Sequence, residues 1–112
     1  GDHWVVYDTR KLLVDVCAAL GDVKGVAEHA KEVLRCMEAH LTSAHPGRAL
    51  MMQHLAAALA SLGGRGGAAE AVRLYEGAEG VLRVCYGADH PATQEAGQKL
   101  AAAKVLALRA KA

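Results

Sequence analysis

A phrase that the chain uses twice limits its fold more than any other feature. Residues 45–59 read His-Pro-Gly-Arg-Ala-Leu-Met-Met-Gln-His-Leu-Ala-Ala-Ala-Leu, and His90-Pro91 opens the phrase again. Behind each proline, at the same distance, comes a Leu-Ala pair, Leu55-Ala56 and Leu100-Ala101. Pro46 and Pro91 stand 45 residues apart. A long fixed period is the signature of a repeat architecture, in which each unit buries its apolar face against the next.

Composition decides what the repeating unit is made of. The chain has no Phe and two prolines, is rich in Ala and Leu, and has few β-branched runs, a balance that favours helix throughout. With 112 residues it is long enough for one domain with a modest core. Thirteen basic residues against twelve acidic ones leave a formal charge of +1, so no broad basic face is available to a phosphate backbone and nucleic acid is not an expected partner. Apolar runs such as Leu55 to Leu62 are too short to span a bilayer, and no signal-peptide pattern precedes a cleavage site, so no membrane partner is expected either. Cys17, Cys36 and Cys85 are odd in number, widely spaced and outside any Cys-x-x-Cys pair, which points to a reducing cytoplasmic or nuclear compartment. The first residue is Gly rather than Met, as in an artificially trimmed chain or a domain cut from a longer protein.

Apolar periodicity predicts five helices, treated as a single array over 1–112 with a first repeat at about 5–41, a second at about 46–86 and a capping helix at about 91–110. The first helix, Val5 to Leu20, spaces Val6, Leu13, Val16, Cys17 and Leu20 for one face, and Gly21-Asp22 ends it. The second, Val23 to Leu41, carries Val26, Ala30, Val33, Leu34, Met37 and Leu41 as its stripe. Pro46 suits the first turn of the third, which runs to Leu62. Gly63 to Gly67 reads as a stretched turn. The fourth helix then covers Ala68 to Tyr86, with Ala71, Leu74, Tyr75, Ala78, Val81 and Leu82 inward and Gly87 at its end, and Asp89-His90-Pro91 starts the fifth.

No set of residues assembles into a catalytic constellation. His45 and His90 recur at equivalent helix starts, which assigns them to caps or turns rather than to proton transfer. His29, Cys36 and His40 share one strip of the second helix and are ligand types that zinc prefers, but a fourth ligand is missing and the strip borders the apolar stripe, so packing is the expectation and no metal or cofactor is assigned. The glycine segment lacks the strand before it and the Lys-Ser/Thr after it that a phosphate loop requires. Cys17 and Cys36 read as small packing residues, and Cys85, near a helix end, as the most reactive thiol. Lys99, Lys104, Arg109 and Lys111 are spread around the last helix as a solvated face.

Leu55-Ala56, Leu59, Ala71, Tyr75 and Ala78 resemble the tetratricopeptide pattern, with Leu13-Val14, Cys17, Val26, Ala30 and Val33 as a more degenerate first copy. The step from Leu59 to Ala71 is 12 residues where that family has nine. Over nearly the whole chain, Val16-Cys17, Asp22-Val23-Lys24-Gly25-Val26, His45-Pro46 and Val84-Cys85-Tyr86-Gly87-Ala88-Asp89-His90-Pro91 are similar to the C-terminal helical domain of SET- and MYND-domain protein lysine methyltransferases, and the last phrase is similar to kinesin light chains as well. The resemblance implies an all-α, right-handed superhelical array of five antiparallel helices, two pairs and a cap. It implies a non-catalytic interaction or substrate-access module, because the family's SET fold, cofactor site and zinc cysteines lie outside this domain. The alternative is an adaptor that binds peptide motifs of cargo proteins. It further implies a groove lined by the first helix of each pair, here Asp8, Lys11, Asp15, Leu50, Gln53, Ala57, Glu95, Gln98 and Ala102, whose occupant is a protein or peptide or a preceding domain of the same parent chain. Some members of the class hold acidic C-terminal tails with a carboxylate clamp. The matching positions here are Lys11, Asp15, His54, Glu95 and Lys99, and Asp15 and Glu95 would repel a carboxylate, so no tight clamp is expected.

Overall fold

The computed structural model describes the backbone of residues 2–40 and 45–111 and, within them, the side chains of residues 11–37, 45–63 and 66–109. The fold is all-α. It consists of α1 (Asp2–Leu20), α2 (Val23–His40), α3 (Pro46–Leu62), α4 (Gly64–Tyr86) and α5 (Pro91–Lys111), with no strand among the described residues. No helix is long and apolar enough to cross a membrane among the described residues.

Glycine at positive φ ends three of the helices. At Gly21 (φ 74) the chain closes a Schellman motif, with Asp22 N–H donating to Cys17 C=O at 2.8 Å and Gly21 N–H to Ala18 C=O at 3.2 Å. The Asp22 carboxylate then caps α2 by accepting from Gly25 N–H at 3.0 Å. Gly63 (φ 83) and Gly87 (φ 93) stop α3 and α4 by donating to the Leu59 and Arg83 carbonyls.

The two His-Pro phrases are the same device. His45 Nδ1 accepts from Gly47 N–H at 3.0 Å, and His90 Nδ1 accepts from Ala92 N–H at 3.0 Å. In both helices the imidazole satisfies a first-turn N–H that has no intrahelical partner, and the proline beside it has no N–H to satisfy. The acceptor geometry requires Nδ1 to be unprotonated, with the ring proton on Nε2. His90 also stacks on Tyr86, ring centroids 4.5 Å apart, which ties the end of α4 to the start of α5.

Extensive packing runs between chain neighbours, α1 on α2, α2 on α3, α3 on α4 and α4 on α5. The direction alternates. Along α3 the partners on α4 retreat from Ala78 and Leu82 beside Ala49 to Ala71 and Tyr75 beside Ala56, and along α5 they retreat from Leu82 and Ala78 beside Ala96 to Tyr75 and Ala71 beside Leu100 and Ala103. The 45-residue period reappears in the packing: Met51, Leu55 and Ala58 place α3 on α2, and their counterparts Ala96, Leu100 and Ala103 place α5 on α4.

The α2 and α4 stripes lie as the periodicity predicts. Val26, Ala30, Val33, Leu34, Met37, Ala71, Tyr75, Ala78 and Leu82 are buried and Leu74 and Val81 half-buried; Leu41 lies outside the described residues. Two expectations are corrected. Among the described side chains of α1 the buried one is Val14, flanked by half-buried Leu13 and Cys17, whereas Val16 and Leu20 are 44% and 77% exposed. An end helix rests on one neighbour along a narrow seam, so an apolar residue a quarter-turn away stays in water. Val6 falls outside the described side chains.

The second correction is the glycine segment. It is not a stretched turn before a helix at Ala68, because α4 begins at Gly64 and Gly63 alone makes the connection. The added residues wind into an extra helical turn, since one left-handed residue already reverses the chain and the following amides gain helical bonds. Gly67 is required there for closeness: a Cβ would lie 2.6 Å from the Leu59 carbonyl oxygen. α1 also starts three residues earlier than Val5, and α5 runs on to Lys111.

Candidate functional site

One face of α3 is left open between its two packing seams. Gly47, Leu50, Gln53, His54, Ala57 and Ser61 recur at helical spacing along it and are all half-buried or exposed. The residues that could not lie there are the ones the neighbours claim: Met51, Leu55 and Ala58 go to α2, Ala49 and Ala56 to α4.

Two surface cavities meet this stripe. The first, about 390 Å³, lies between the starts of α3 and α5 over the end of α4; Pro46, Gly47, Leu50, Leu82, Tyr86 and Ala92 form its apolar part and Gln53, Glu95 and Lys99 its polar end. The second, about 160 Å³, lies where α3 passes the α1–α2 turn, lined by Cys17, Ala18, Gly21, Asp22, Val23 and Val26 on one side and His54, Ala57, Ala58 and Ser61 on the other. From Gly47 to Ser61 the stripe is about 21 Å long at the helical rise, and an extended chain crosses that distance in about six residues.

The polar end of the larger cavity is a closed network. Lys99 Nζ donates to Gln53 Oε1 at 3.0 Å and sits 3.4 Å from Glu95 Oε1. The ammonium and the carboxylate cancel in charge, and the Gln53 carboxamide keeps its N–H donors for another partner. Leu50 and Tyr86, 44% and 47% exposed, form the apolar lips of the same opening.

In the smaller cavity the chemistry is quieter. Partial burial pushes the Cys17 thiol up from its ordinary range, and the Asp22 carboxylate, which accepts its hydrogen bond, raises it further by disfavouring a second negative charge. A thiol held protonated is a weak nucleophile. Cys36 and Cys85 are half-buried, and all three cysteines are free. His29 and Cys36 sit half-buried at the edge of the α2 stripe, while the side chain of His40 lies outside the described residues. No three His, Cys, Asp or Glu side chains converge as metal ligands among the described residues.

Of the nine residues assigned to a groove from the sequence, Leu50, Gln53 and Glu95 meet in the larger cavity and Ala57 lines the smaller. Lys11 is half-buried and Asp15, Gln98 and Ala102 are exposed, all four outside both linings; the side chain of Asp8 is outside those described. The clamp positions do not form one site: Glu95 and Lys99 line one cavity and His54 the other. Sequence reasoning missed Tyr86, Leu82 and Ser61. The first two belong to α4, whose end lines the larger cavity, whereas the expected groove drew only on α1, α3 and α5.

No family model and no curated protein matches the chain.

Proposed function

We infer that this chain is a non-catalytic protein-interaction module, a tetratricopeptide-like array that holds a peptide, or a segment of a neighbouring domain, along the open face of α3. The observation that carries the reading is the continuity of that face. One helical stripe joins two cavities on the same side of the molecule, and its floor is built from small or amphipathic residues, Ala57, Ser61, Gln53 and His54, which admit a backbone and can hydrogen-bond to it. The recurrence of packing positions at the 45-residue period supports the repeat reading.

Within that class, the C-terminal helical domain of a SET- and MYND-type lysine methyltransferase is the proposed setting, acting in the cytoplasm or nucleus to flank a substrate cleft or dock a partner. The carrying phrase is Tyr86-Gly87-Ala88-Asp89-His90-Pro91, whose tyrosine and histidine stack while the histidine caps α5. The transcript that encodes the chain tests this setting. A SET core and MYND cysteines ahead of Gly1 are the expected result; a heptad coiled coil there would replace the methyltransferase setting with the cargo-adaptor one, and neither would sink both.

A further inference from the structure

The groove on α3 has an apolar pocket at one end and a charge-neutral hydrogen-bonding network beside it, and this combination selects a kind of ligand. We propose that the larger cavity takes an internal segment of an extended peptide, with one large aliphatic or aromatic side chain seated among Leu50, Leu82 and Tyr86 and the backbone next to it read by Gln53. The inference rests on the groove reading above and specifies its occupant.

Two features argue for it. The apolar lips are solvent-exposed, Leu50 at 44% and Tyr86 at 47%, around a space of about 390 Å³, so an entering side chain removes apolar surface from water on several sides at once. Its polar rim suits a neutral amide better than a terminal charge. Lys99 is already engaged by Gln53 and by Glu95, so a peptide carboxylate arriving there would have to displace Glu95 or lie beside it. A backbone C=O or N–H meets no such opposition: the Gln53 carboxamide has donors to spare and the Glu95 oxygens accept. Charge complementarity thus favours the middle of a chain over its C-terminal end.

The test uses two display libraries of random 12-residue segments panned on the folded chain, one joined to linkers at both ends and the other ending in a free carboxylate. The expected result is enrichment from the linker-joined library of segments sharing one large apolar residue, with at least a tenfold loss of affinity when that residue becomes Ala, or when the chain carries Leu50→Asp. Because Leu50 is exposed, that variant keeps its helical circular dichroism; Gln53→Ala, a second surface change, loses severalfold. Enrichment confined to the free-carboxylate library, with binding abolished by Lys99→Met, overturns the inference and leaves the groove reading standing. No enrichment from either library, or binders indifferent to Leu50→Asp, overturns both.

Discussion

Against α2, α3 packs Met51 and Leu55 into a cluster of large side chains, Val14, Val26, Val33, Leu34 and Met37; against α4 and α5 it offers Ala49 and Ala56 to a seam of Ala71, Ala78, Ala96 and Ala103, with Tyr75, Leu82 and Leu100 between them. The repeat positions are shared, and Leu55 and Leu100, like Ala58 and Ala103, are filled alike; the two layers part at one position and in the size of the side chains that meet them. Where the α2 layer has Met51, the α5 layer has Ala96. The large side chains stabilise by the apolar area they remove from water, whereas the small ones let backbones approach and stabilise through many close contacts. One layer should therefore suffer most from side chains made smaller, the other from side chains made larger.

The hardest blow to that contrast is a charge in the alanine seam. Ala78 is fully buried between α4, α3 and α5. Ala78→Arg adds bulk and an unpaired charge together, and should cost about 4 kcal/mol or more. Urea unfolding followed by circular dichroism reads it, and a variant that melts like the parent would show that the seam is not closed.

A swap of repeat counterparts sharpens the comparison. Met51→Ala leaves a cavity in the α2 layer and should cost about 2–5 kcal/mol; Ala96→Met forces volume into the seam and should cost about 1–3 kcal/mol. Should Ala96→Met prove neutral while Met51→Ala does not, the seam has slack and the two layers differ in side-chain size alone.

The start of α4 gives a smaller contrast between neighbouring glycines. Gly67→Ala brings a Cβ to 2.6 Å from the Leu59 carbonyl oxygen and should destabilise by about 1–3 kcal/mol. Gly66, with open space where its Cβ would be, should instead stabilise on replacement by Ala, by about 0.5–1 kcal/mol. Thermal melts of the two single variants moving in the same direction would contradict a helix that begins at Gly64.

This segment also shows how far the sequence could be read. Five helices, their order and the buried stripes of α2 and α4 were legible because apolar residues recur there at one helical period. The start of α4 was not, because glycine's low helix propensity argues against the helix, and only the tertiary approach to Leu59 makes glycine the residue required. The orientation of α1 was also hidden. With Leu12, Leu13, Val14 and Val16 all apolar, periodicity admits several faces, and the choice belongs to the helix it meets. Leu50, Gln53 and Ala57, which the family resemblance assigned to a groove, line the two cavities along α3, while Tyr86 enters the larger one only through the way α4 ends beneath it.

The two His-Pro caps test the equivalence of the repeats themselves. His45→Ala should cost about 1 kcal/mol, the usual worth of a capping acceptor. His90→Ala should cost more, by about 0.5–1 kcal/mol, because the ring also stacks on Tyr86. His90→Asn, which keeps a capping oxygen and loses only the ring, should cost the stacking part alone, about 0.5–1 kcal/mol, the smallest loss of the three. Equal losses at 45 and 90 would assign nothing to the stack.

The smallest effect separates the layers by pH. Cys17, in the α1–α2 layer, and Tyr75, in the alanine seam, both have their titration raised, Cys17 by partial burial and then Asp22, Tyr75 by burial. Each acid is held in its neutral form by the fold, so its contribution is fully present below the ordinary pKa and is lost as pH rises through the folded one. The ordinary values are 9.0 for the thiol and 10.0 for the phenol. Stability should be flat up to about pH 8.5 and then decline, first through Cys17 and afterwards through Tyr75. Cys17→Ser should remove the earlier part of the decline and Tyr75→Phe the later part, as read from urea midpoints taken across the alkaline range. Asp22→Asn adds an independent reading at pH 8, since losing the carboxylate lowers the thiol and should speed alkylation of Cys17 by iodoacetamide. An unchanged rate there would leave burial as the whole cause.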